Sequence, residues 1–426
     1  MKKFTNISFF KIYFLFYSLF SLMISPAVLF GKTVEVSKSS DDVMVSRIIT
    51  AELLFEADNK KEAMKLLKQV DINKIKESST LYYLAQIKLD NEYKVQEVNS
   101  ICNRIKMLGD ISVNLACQSA ILLNNNKLDE ALEMSEKALD KNANSSTFLA
   151  AAKSNDALNN YDKALEYYKK AVENGAKHPA AVSYALLLEK SGESVQALKV
   201  IEDAIKKAPE SPVALFHGGR ISGKGQRGIN YLLKALKLKP GWPEASYILG
   251  ILMIEDNRNR EAFNFFTELI NKGVTDPLIY IGASRAAASI QNIEKAREFL
   301  NESKKYENNT FRFFVSSIKI EIESGNTMEA SLMADEVDMN NIDEIVELYD
   351  AANIFLKLER YTKADEAARK ILKKSKNSSR AFLILGEIFC KRHLVEEGKS
   401  YLKKALDGDM TAVLRVDIQR KTNKCR

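Results

Sequence analysis

The glycine-rich stretch HGGRISGKGQRG, residues 217–228, is the part of the sequence whose spacing most directly suggests chemistry. Gly218 and the pair Gly223-Lys224 have the spacing of a phosphate-binding loop, in which backbone amides and a lysine hold a nucleotide. Such a loop also requires a preceding strand and a Ser or Thr after the lysine. Here the preceding residues indicate a helix, and Gly225 stands where the hydroxyl is needed. The stretch therefore predicts a turn between two helices and no nucleotide site.

The three histidines are the next candidates, because imidazole serves both as a metal ligand and as a general base. His178 lies at the start of a predicted helix, His217 inside another and His393 near a turn. Metal sites and nucleophile–base pairs need side chains that converge, and these are scattered along the chain. Carboxylates are numerous, but they alternate with lysines at helical spacing, as on a solvated helix face. We therefore expect a non-enzymatic protein with no catalytic residue, metal or cofactor.

Two of the four cysteines, Cys102 and Cys117, are placed for a possible disulfide. They fall on consecutive predicted helices, at equal distances from the turn at Gly109-Asp110. Antiparallel neighbours so placed can reach the Cα separation of about 4.4–6.8 Å that a disulfide needs. A bond between Cys102 and Cys117 is one hypothesis, and two buried thiols are the alternative.

The N-terminal residues have the pattern of a targeting segment. A short basic start is followed by an apolar run at residues 12–24, and Ser25-Pro26-Ala27 has small residues where a signal peptidase reads them. Extended to Phe30, the run is also long enough for a membrane anchor. We expect residues 1–30 to be a signal peptide or an anchor, with membrane association through residues 12–30. Either way the rest of the chain lies outside the cytoplasm, periplasmic or membrane-anchored.

The composition of the whole chain favours an all-α protein. Hydrophobic residues make up 46% and charged residues 28%, a globular balance. Proline is scarce, at 7, and no alternating Val/Ile/Thr run indicates a strand. The formal net charge of +7 includes Lys2, Lys3 and Lys11 of the leader, so the remainder is too weakly basic to favour nucleic acid binding.

A regular series of small residues reveals internal repeats. The steps from Ala262 to Gly398 are 34 residues each, and Ala63 to Ala131 is twice that length. Ala197 to Ala262 is three residues short of two units. The series is Ala63, Ala131, Ala164, Ala197, Ala262, Ala296, Ala330, Ala364 and Gly398. A fixed period of this length predicts stacked helix-turn-helix units.

The units resemble the tetratricopeptide repeat, which has Leu-Gly, then Ala and an aromatic residue at fixed spacing. The segment ASYILGILMIEDNRNREAFNFFTELI matches with Leu249-Gly250, Ala262 and Phe266. The resemblance implies a right-handed superhelical α-solenoid of about eleven units with a concave groove. We assign the solenoid to residues 44–411. The flanking parts are a linker, residues 31–43, and a capping helix and tail, residues 412–426.

The resemblance also implies which residues face the groove, namely positions 2, 5, 9 and 12 of each first helix, of which 5 and 9 are neighbours one turn apart. Position 5 is apolar or aromatic from Leu149 to Leu383, and position 9 is basic in four units. The candidate partner-binding residues are Lys153, Arg220, Tyr247, Arg285, Lys319, Tyr349 and Asn353. One hypothesis is a groove for an extended apolar and acidic protein segment. The other is that these side chains only solvate the inner wall or pack between helices.

The predicted function is a protein-protein interaction scaffold or adaptor of the cell envelope. Two alternatives remain open. A carbohydrate-binding envelope protein is favoured if Phe216, Tyr247 and Tyr349 form an exposed aromatic row. An accessory subunit of an envelope enzyme is favoured if a ligand binds at the glycine-rich turn.

Overall fold

The computed structural model describes residues 40–306, 311–342, 345–408 and 412–425. Within these residues it contains 23 α-helices and no β-strand. The helices are α1 (Ser40–Glu56), α2 (Lys60–Lys68), α3 (Ser78–Asp90), α4 (Val95–Met107), α5 (Ile111–Asn124), α6 (Leu128–Lys141), α7 (Ser145–Ala157), α8 (Tyr161–Glu173), α9 (His178–Lys190), α10 (Ser194–Lys207), α11 (Pro212–Ser222), α12 (Gln226–Leu238), α13 (Pro243–Glu255), α14 (Asn259–Asn271), α15 (Pro277–Ser289), α16 (Ile293–Ser303), α17 (Phe311–Glu323), α18 (Thr327–Glu336), α19 (Ile345–Lys357), α20 (Tyr361–Lys374), α21 (Ser379–Lys391), α22 (Val395–Asp407) and α23 (Ala412–Lys424). Short 3-10 turns lie at Ile72–Lys74 and Met339–Asn341.

The first 22 helices form eleven consecutive hairpins, which we number as units 1 to 11, from α1/α2 to α21/α22. Each hairpin packs on the next, and α23 packs on α22. The first helices of neighbouring units also contact each other. For example, α13 contacts α15, and α15 contacts α17. The first helices therefore form the inner layer of the array. The prediction of an all-α solenoid of about eleven units is confirmed.

The periodic alanines explain how closely the two helices of a unit approach. All eight alanines of the series are fully buried. Each is the fourth residue of a second helix, for example Ala262 in α14. In the degenerate second unit the fourth residue of α4 is Val98, which is also fully buried. Small side chains at this point let helix axes approach to about 8–10 Å while larger neighbours fill the grooves.

The turn inside each unit is closed by a residue in the left-handed region. The residue two positions before most second helices has a positive φ, as in Asn126 at 57° and Gly192 at 89°. This conformation ends the first helix and satisfies its last carbonyls. Glycine and asparagine adopt it most readily. The turns predicted at Gly192, Gly325 and residues 124–126 are all found at these places.

The glycine-rich stretch is the shortened turn of unit 6, between α11 and α12. Because α11 precedes it, the strand required by a phosphate-binding loop is replaced by a helix. A Cβ on Gly228 would lie 2.4 Å from the carbonyl oxygen of Gly223 and 3.0 Å from that of Gly219. The shortened turn thus brings the helices so close that only glycine fits at the third residue of α12, just before Ile229 at the fourth. Close packing of α11 and α12 therefore accounts for Gly228.

The superhelix brings units that are far apart in the sequence into contact. Helix α1 of unit 1 contacts α11 of unit 6. The turn at Gly192 in unit 5 lies against the loop between α20 and α21, where a Cβ on Gly192 would be 2.9 Å from the Ser375 hydroxyl oxygen. Units separated by about five repeats therefore meet across successive turns of the superhelix.

Segments at both ends of the chain were predicted to lie outside the solenoid. The predicted signal peptide or anchor, residues 1–30, lies outside the described residues. Helix α1 begins at Ser40, inside the segment predicted as a linker. Over the part of the chain that the structure describes, no helix combines the length and apolar character needed to cross a bilayer. At the other end, α23 occupies the place of the predicted capping helix.

Two disulfides join neighbouring helices. Cys102 on α4 is bonded to Cys117 on α5, with a Cα–Cα distance of 5.7 Å. Cys390 on α21 is bonded to Cys425, just after α23, with a Cα–Cα distance of 5.2 Å. The first pair is the one that the hairpin geometry suggested. Sequence reasoning missed the second.

Candidate functional site on the concave surface

The apolar strip at position 5 is largely inside the protein. Ile281 is 2% exposed and Val315 3%, and the aromatic rings of Phe216 and Tyr247 are buried as well. Phe216 packs against Trp242, with ring centroids 4.5 Å apart. These side chains therefore serve mainly to pack neighbouring first helices together, which was the structural alternative left open by the sequence.

The exposed aromatic row that would favour carbohydrate binding does not form. Phe216 and Tyr247 are each 9% exposed. Tyr349 is half-buried, and its hydroxyl is hydrogen-bonded to the Ser378 hydroxyl. Sugar rings stack on open aromatic faces, so these three residues do not meet the condition that would favour a carbohydrate-binding protein.

The four basic residues at position 9 have partners within the protein. Lys153 Nζ donates to the side-chain oxygen of Gln86. Arg220 makes a two-pronged ion pair with Glu189, with nitrogen–oxygen distances of 3.0 and 2.5 Å. Arg220 and Lys319 are thus paired with carboxylates, whereas Lys153 and Arg285 contact neutral side chains. Asn353, by contrast, is exposed, with its amide donating to the Tyr349 carbonyl oxygen at 2.8 Å.

Five charged residues, one from each first helix of units 7 to 11, form a diagonal across the inner surface. We call this set the charged stripe: Glu255, Arg285, Lys319, Asp350 and Arg380. It starts at the last residue of α13 and ends at the second residue of α21. Three of its members are cations and two are carboxylates, so it carries an excess of one positive charge.

Direct contacts fix the centre of the stripe. Lys319 Nζ lies 3.3 Å from a carboxylate oxygen of Asp350. Arg285 donates to the Tyr247 hydroxyl at 2.7 Å. The Tyr247 ring is also flanked by Arg312, whose guanidinium carbon lies 5.6 Å from the ring centroid. Tyrosine thus holds two guanidinium groups by a hydrogen bond and by cation–π attraction.

The ionisation of the stripe reflects its partial burial. Burial, followed by the nearby charge of Arg285, lowers the pKa of Lys319 to about 8. Burial alone would raise the pKa of Asp350, but Lys319 and Arg285 hold it below its usual range. Burial raises the pKa of Glu255. Among the three cations of the stripe, Lys319 is therefore the one whose charged form its surroundings stabilise least.

Two members of this surface, Arg312 and Arg380, were absent from the predicted site. Both occupy position 2 of a first helix, which the resemblance also places on the concave side. Arg380 is exposed and lies 5.9 Å from the Tyr349 ring centroid. The side chain of Arg312 is 42% exposed and lies 3.8 Å from a Glu347 oxygen. Reading position 2 beside positions 5 and 9 would have found both.

A family model described as tetratricopeptide repeat matches residues 121–179 and 149–212. The match supports a tetratricopeptide repeat protein. It falls on units 3 to 6, and the same hairpin geometry continues on both sides of it. No curated protein matches the chain.

Several solved structures are similar to the chain at low identity. A tetratricopeptide repeat protein from Parabacteroides merdae is 15% identical, with 58% of this chain and 98% of that one covered and a TM-score of 0.37. Yeast Tom70 is 15% identical over 91% of this chain and 96% of its own, with a TM-score of 0.44. The C-terminal part of a tetratricopeptide repeat-containing protein from Cytophaga hutchinsonii is 17% identical over 63% and 99%, with a TM-score of 0.39.

Lys319 is expected to titrate well below an ordinary lysine. With a pKa of about 8, its reaction rate with an amine-acylating reagent should rise with pH, reach half its maximum near pH 8 and level off above it. The lysine of an added unstructured reference peptide, with an ordinary pKa of about 10.4, should keep gaining rate to higher pH. Competitive labelling followed by mass spectrometry measures both rates in one sample. Parallel pH profiles for the two lysines would contradict the assigned environment of Lys319.

Proposed function

We propose that the protein is a non-enzymatic scaffold of the cell envelope that binds an extended protein segment along the charged stripe. The observation that carries the proposal is the stripe itself, in which five consecutive units each contribute one charged side chain to one inner surface. Solenoids present such concave surfaces to extended partners. The buried position-5 strip supplies the rigid wall behind it.

The charge of the stripe favours acidic side chains in the partner. It has one cation in excess, and the positive charge of Arg285 helps to lower the pKa of Lys319. A carboxylate placed beside Lys319 would stabilise its charged form and raise its pKa. Binding of an acidic segment should therefore take up protons near pH 8.

Arg312 and Arg380 offer a cleaner test than the deeper cations. Reversing the charge of Arg220 or Arg285 would place new carboxylates beside Glu189 or Glu255 and destabilise the fold. Arg312 and Arg380 are more exposed, so Arg312→Glu with Arg380→Glu should leave the helix content unchanged. Exposed charge pairs contribute about 0–1 kcal/mol each, and reversing two should weaken partner binding by about tenfold.

The experiment is a crosslinking capture of partners from intact cells, quantified by mass spectrometry, with circular dichroism to verify folding. The matched control is Lys234→Glu with Lys237→Glu, the same charge change on two exposed residues of the second helix α12. Partners lost only from the Arg312/Arg380 variant support the stripe. Equal recovery by both variants would place the binding surface elsewhere.

Export is the second part of the proposal. It is supported by the basic and apolar pattern of residues 1–30 and by the pairing of all four cysteines in disulfides, which persist in oxidising compartments. A reporter enzyme that is active only outside the cytoplasm, fused after Asp42, should be active. The same fusion without residues 1–30 is the control and should be inactive. A silent full-length fusion recovered in the soluble cytoplasmic fraction would refute export.

A further inference from the structure

Three side chains with metal-ligating atoms meet where unit 1 touches unit 5. Glu52 and Glu56 lie one helical turn apart on α1, and His178 is the first residue of α9. His178 Nε2 lies 3.0 Å from a Glu56 oxygen, and its Nδ1 lies 4.0 Å from Glu52 Oε2. One ligand atom from each of the three can be chosen so that all lie within 4.8 Å of one another.

The cluster is buried although two of its members are acids. The His178 side chain is 6% exposed, and those of Glu52 and Glu56 are each 13% exposed. Glu52 Oε2 is fully buried and has no hydrogen-bond partner among the described residues. Burial and the neighbouring Glu56 carboxylate raise the pKa of Glu52. Two buried carboxylates side by side are costly unless a cation neutralises them.

A hydrogen bond from a neighbouring helix holds the Glu56 carboxylate in a fixed orientation. Ser211, at the start of α11, donates from its hydroxyl to the second oxygen of Glu56. The other oxygen of Glu56 is the one that faces His178. A hydrogen bond of this kind from outside the ligand set orients a metal-binding carboxylate.

We propose that Glu52, Glu56 and His178 bind a divalent transition-metal ion, with zinc as the best-fitting case, and that the ion fastens unit 1 to unit 5. Zinc accepts carboxylate oxygen and imidazole nitrogen at about 2.0–2.2 Å in a tetrahedral arrangement. Ligand atoms in that arrangement lie about 3.4 Å from one another. The 3.0 and 4.0 Å separations involve different ring nitrogens of His178, and only one of them can bind the same ion. With one atom from each residue the three ligand atoms lie within 4.8 Å of one another, so side-chain rotations about the existing positions would bring them to the tetrahedral spacing.

The consequence of metal binding is a closed first turn of the superhelix. The ligands come from α1 and α9, and Glu56 and His178 are 122 positions apart in the sequence. Holding these helices together fixes the curvature of units 1 to 5, whatever partner the charged stripe binds. Metal removal should therefore loosen α1 from α9 and α11 without unfolding the other units.

The test is titration of chelator-treated protein with Zn²⁺ by calorimetry. One site per chain is expected, and both Glu56→Gln and His178→Gln should weaken it by more than about 100-fold, beyond the 10–100-fold typical of losing an outer hydrogen bond. Ser211→Ala should fall within that smaller range. The control is His393→Gln, which changes an exposed histidine at the turn before α22 and should bind like the parent protein.

A measurement on the unaltered chain keeps the proposal testable if a variant fails to fold. In spectra of protein labelled with ¹⁵N-histidine, Zn²⁺ should shift the ring nitrogens of His178 and leave those of His217 and His393 in place. The proposal is overturned if Zn²⁺ leaves the His178 signals unchanged, or if stoichiometric binding survives both Glu56→Gln and His178→Gln.

Discussion

Replacement of Phe266 by alanine is expected to destabilise units 7 and 8 by about 3–5 kcal/mol, the usual cost of removing a fully buried phenylalanine ring. The Phe266 side chain on α14 is completely buried. A Cβ added to Gly250 would lie 2.1 Å from the ring, and one added to Gly282 would lie 2.3 Å from it. The ring therefore fills the space that these two glycines leave between α13 and α15.

The measurement is denaturant unfolding followed by circular dichroism, with hydrogen exchange to locate the effect. Exchange should rise first in α13, α14 and α15, because a solenoid couples each unit mainly to its neighbours. The matched control is Phe265→Ala, since Phe265 is the adjacent residue and is only half-buried. A free energy of unfolding that falls equally in both variants would show that the ring between the glycines has no special role.

Loss of the Cys390–Cys425 disulfide is expected to cost about 4 kcal/mol of stability at the C-terminal end. The bond closes a loop with a sequence separation of 35 residues. In the chain-entropy description a loop of that size restricts the unfolded state by about this amount. Helix α23 packs on α22 of unit 11 and is tied to α21 by this bond, so the loss should appear as fraying of α23.

Cys425→Ser and chemical reduction of the unaltered protein should give the same result. Hydrogen exchange should accelerate through α23, while Ile418, which is fully buried on that helix, loses its protection. Reductant added to the Cys425→Ser variant controls for effects of the Cys102–Cys117 bond. If α23 keeps its protection in Cys425→Ser, packing alone holds the helix and the loop-closure estimate does not apply.

Much of the fold could be predicted because the sequence repeats the same local pattern of small residues and turn residues. The periodic alanines specify where two helices approach, and residues such as Asn126 and Gly192 specify where each hairpin turns. Contacts between neighbouring units recur at about one repeat length, as for Lys421 with Glu387, 34 residues apart. The Cys390–Cys425 bond has nearly the same separation, so the repeat period contained a signal for it that was not used.

The charged stripe was predicted only in part, because the sequence pattern gives positions on a helix but not the partners across helices. Arg285 and Lys319 were found from position 9. Glu255 and Asp350 lie at other positions, yet the fold places both close enough to Lys319 to act on its charge. The tertiary structure therefore decided which carboxylates lie beside the basic residues of the stripe.

The sequence by itself determined the class of the fold, the number of units and the turns between their helices, since these depend on local spacing and on contacts between adjacent repeats. Only the tertiary structure decided that His178 meets Glu52 and Glu56, or that Gly192 lies against the loop before α21. Such meetings depend on the curvature and pitch of the superhelix. Both are sums of small rotations at every interface, and no single stretch of sequence specifies them.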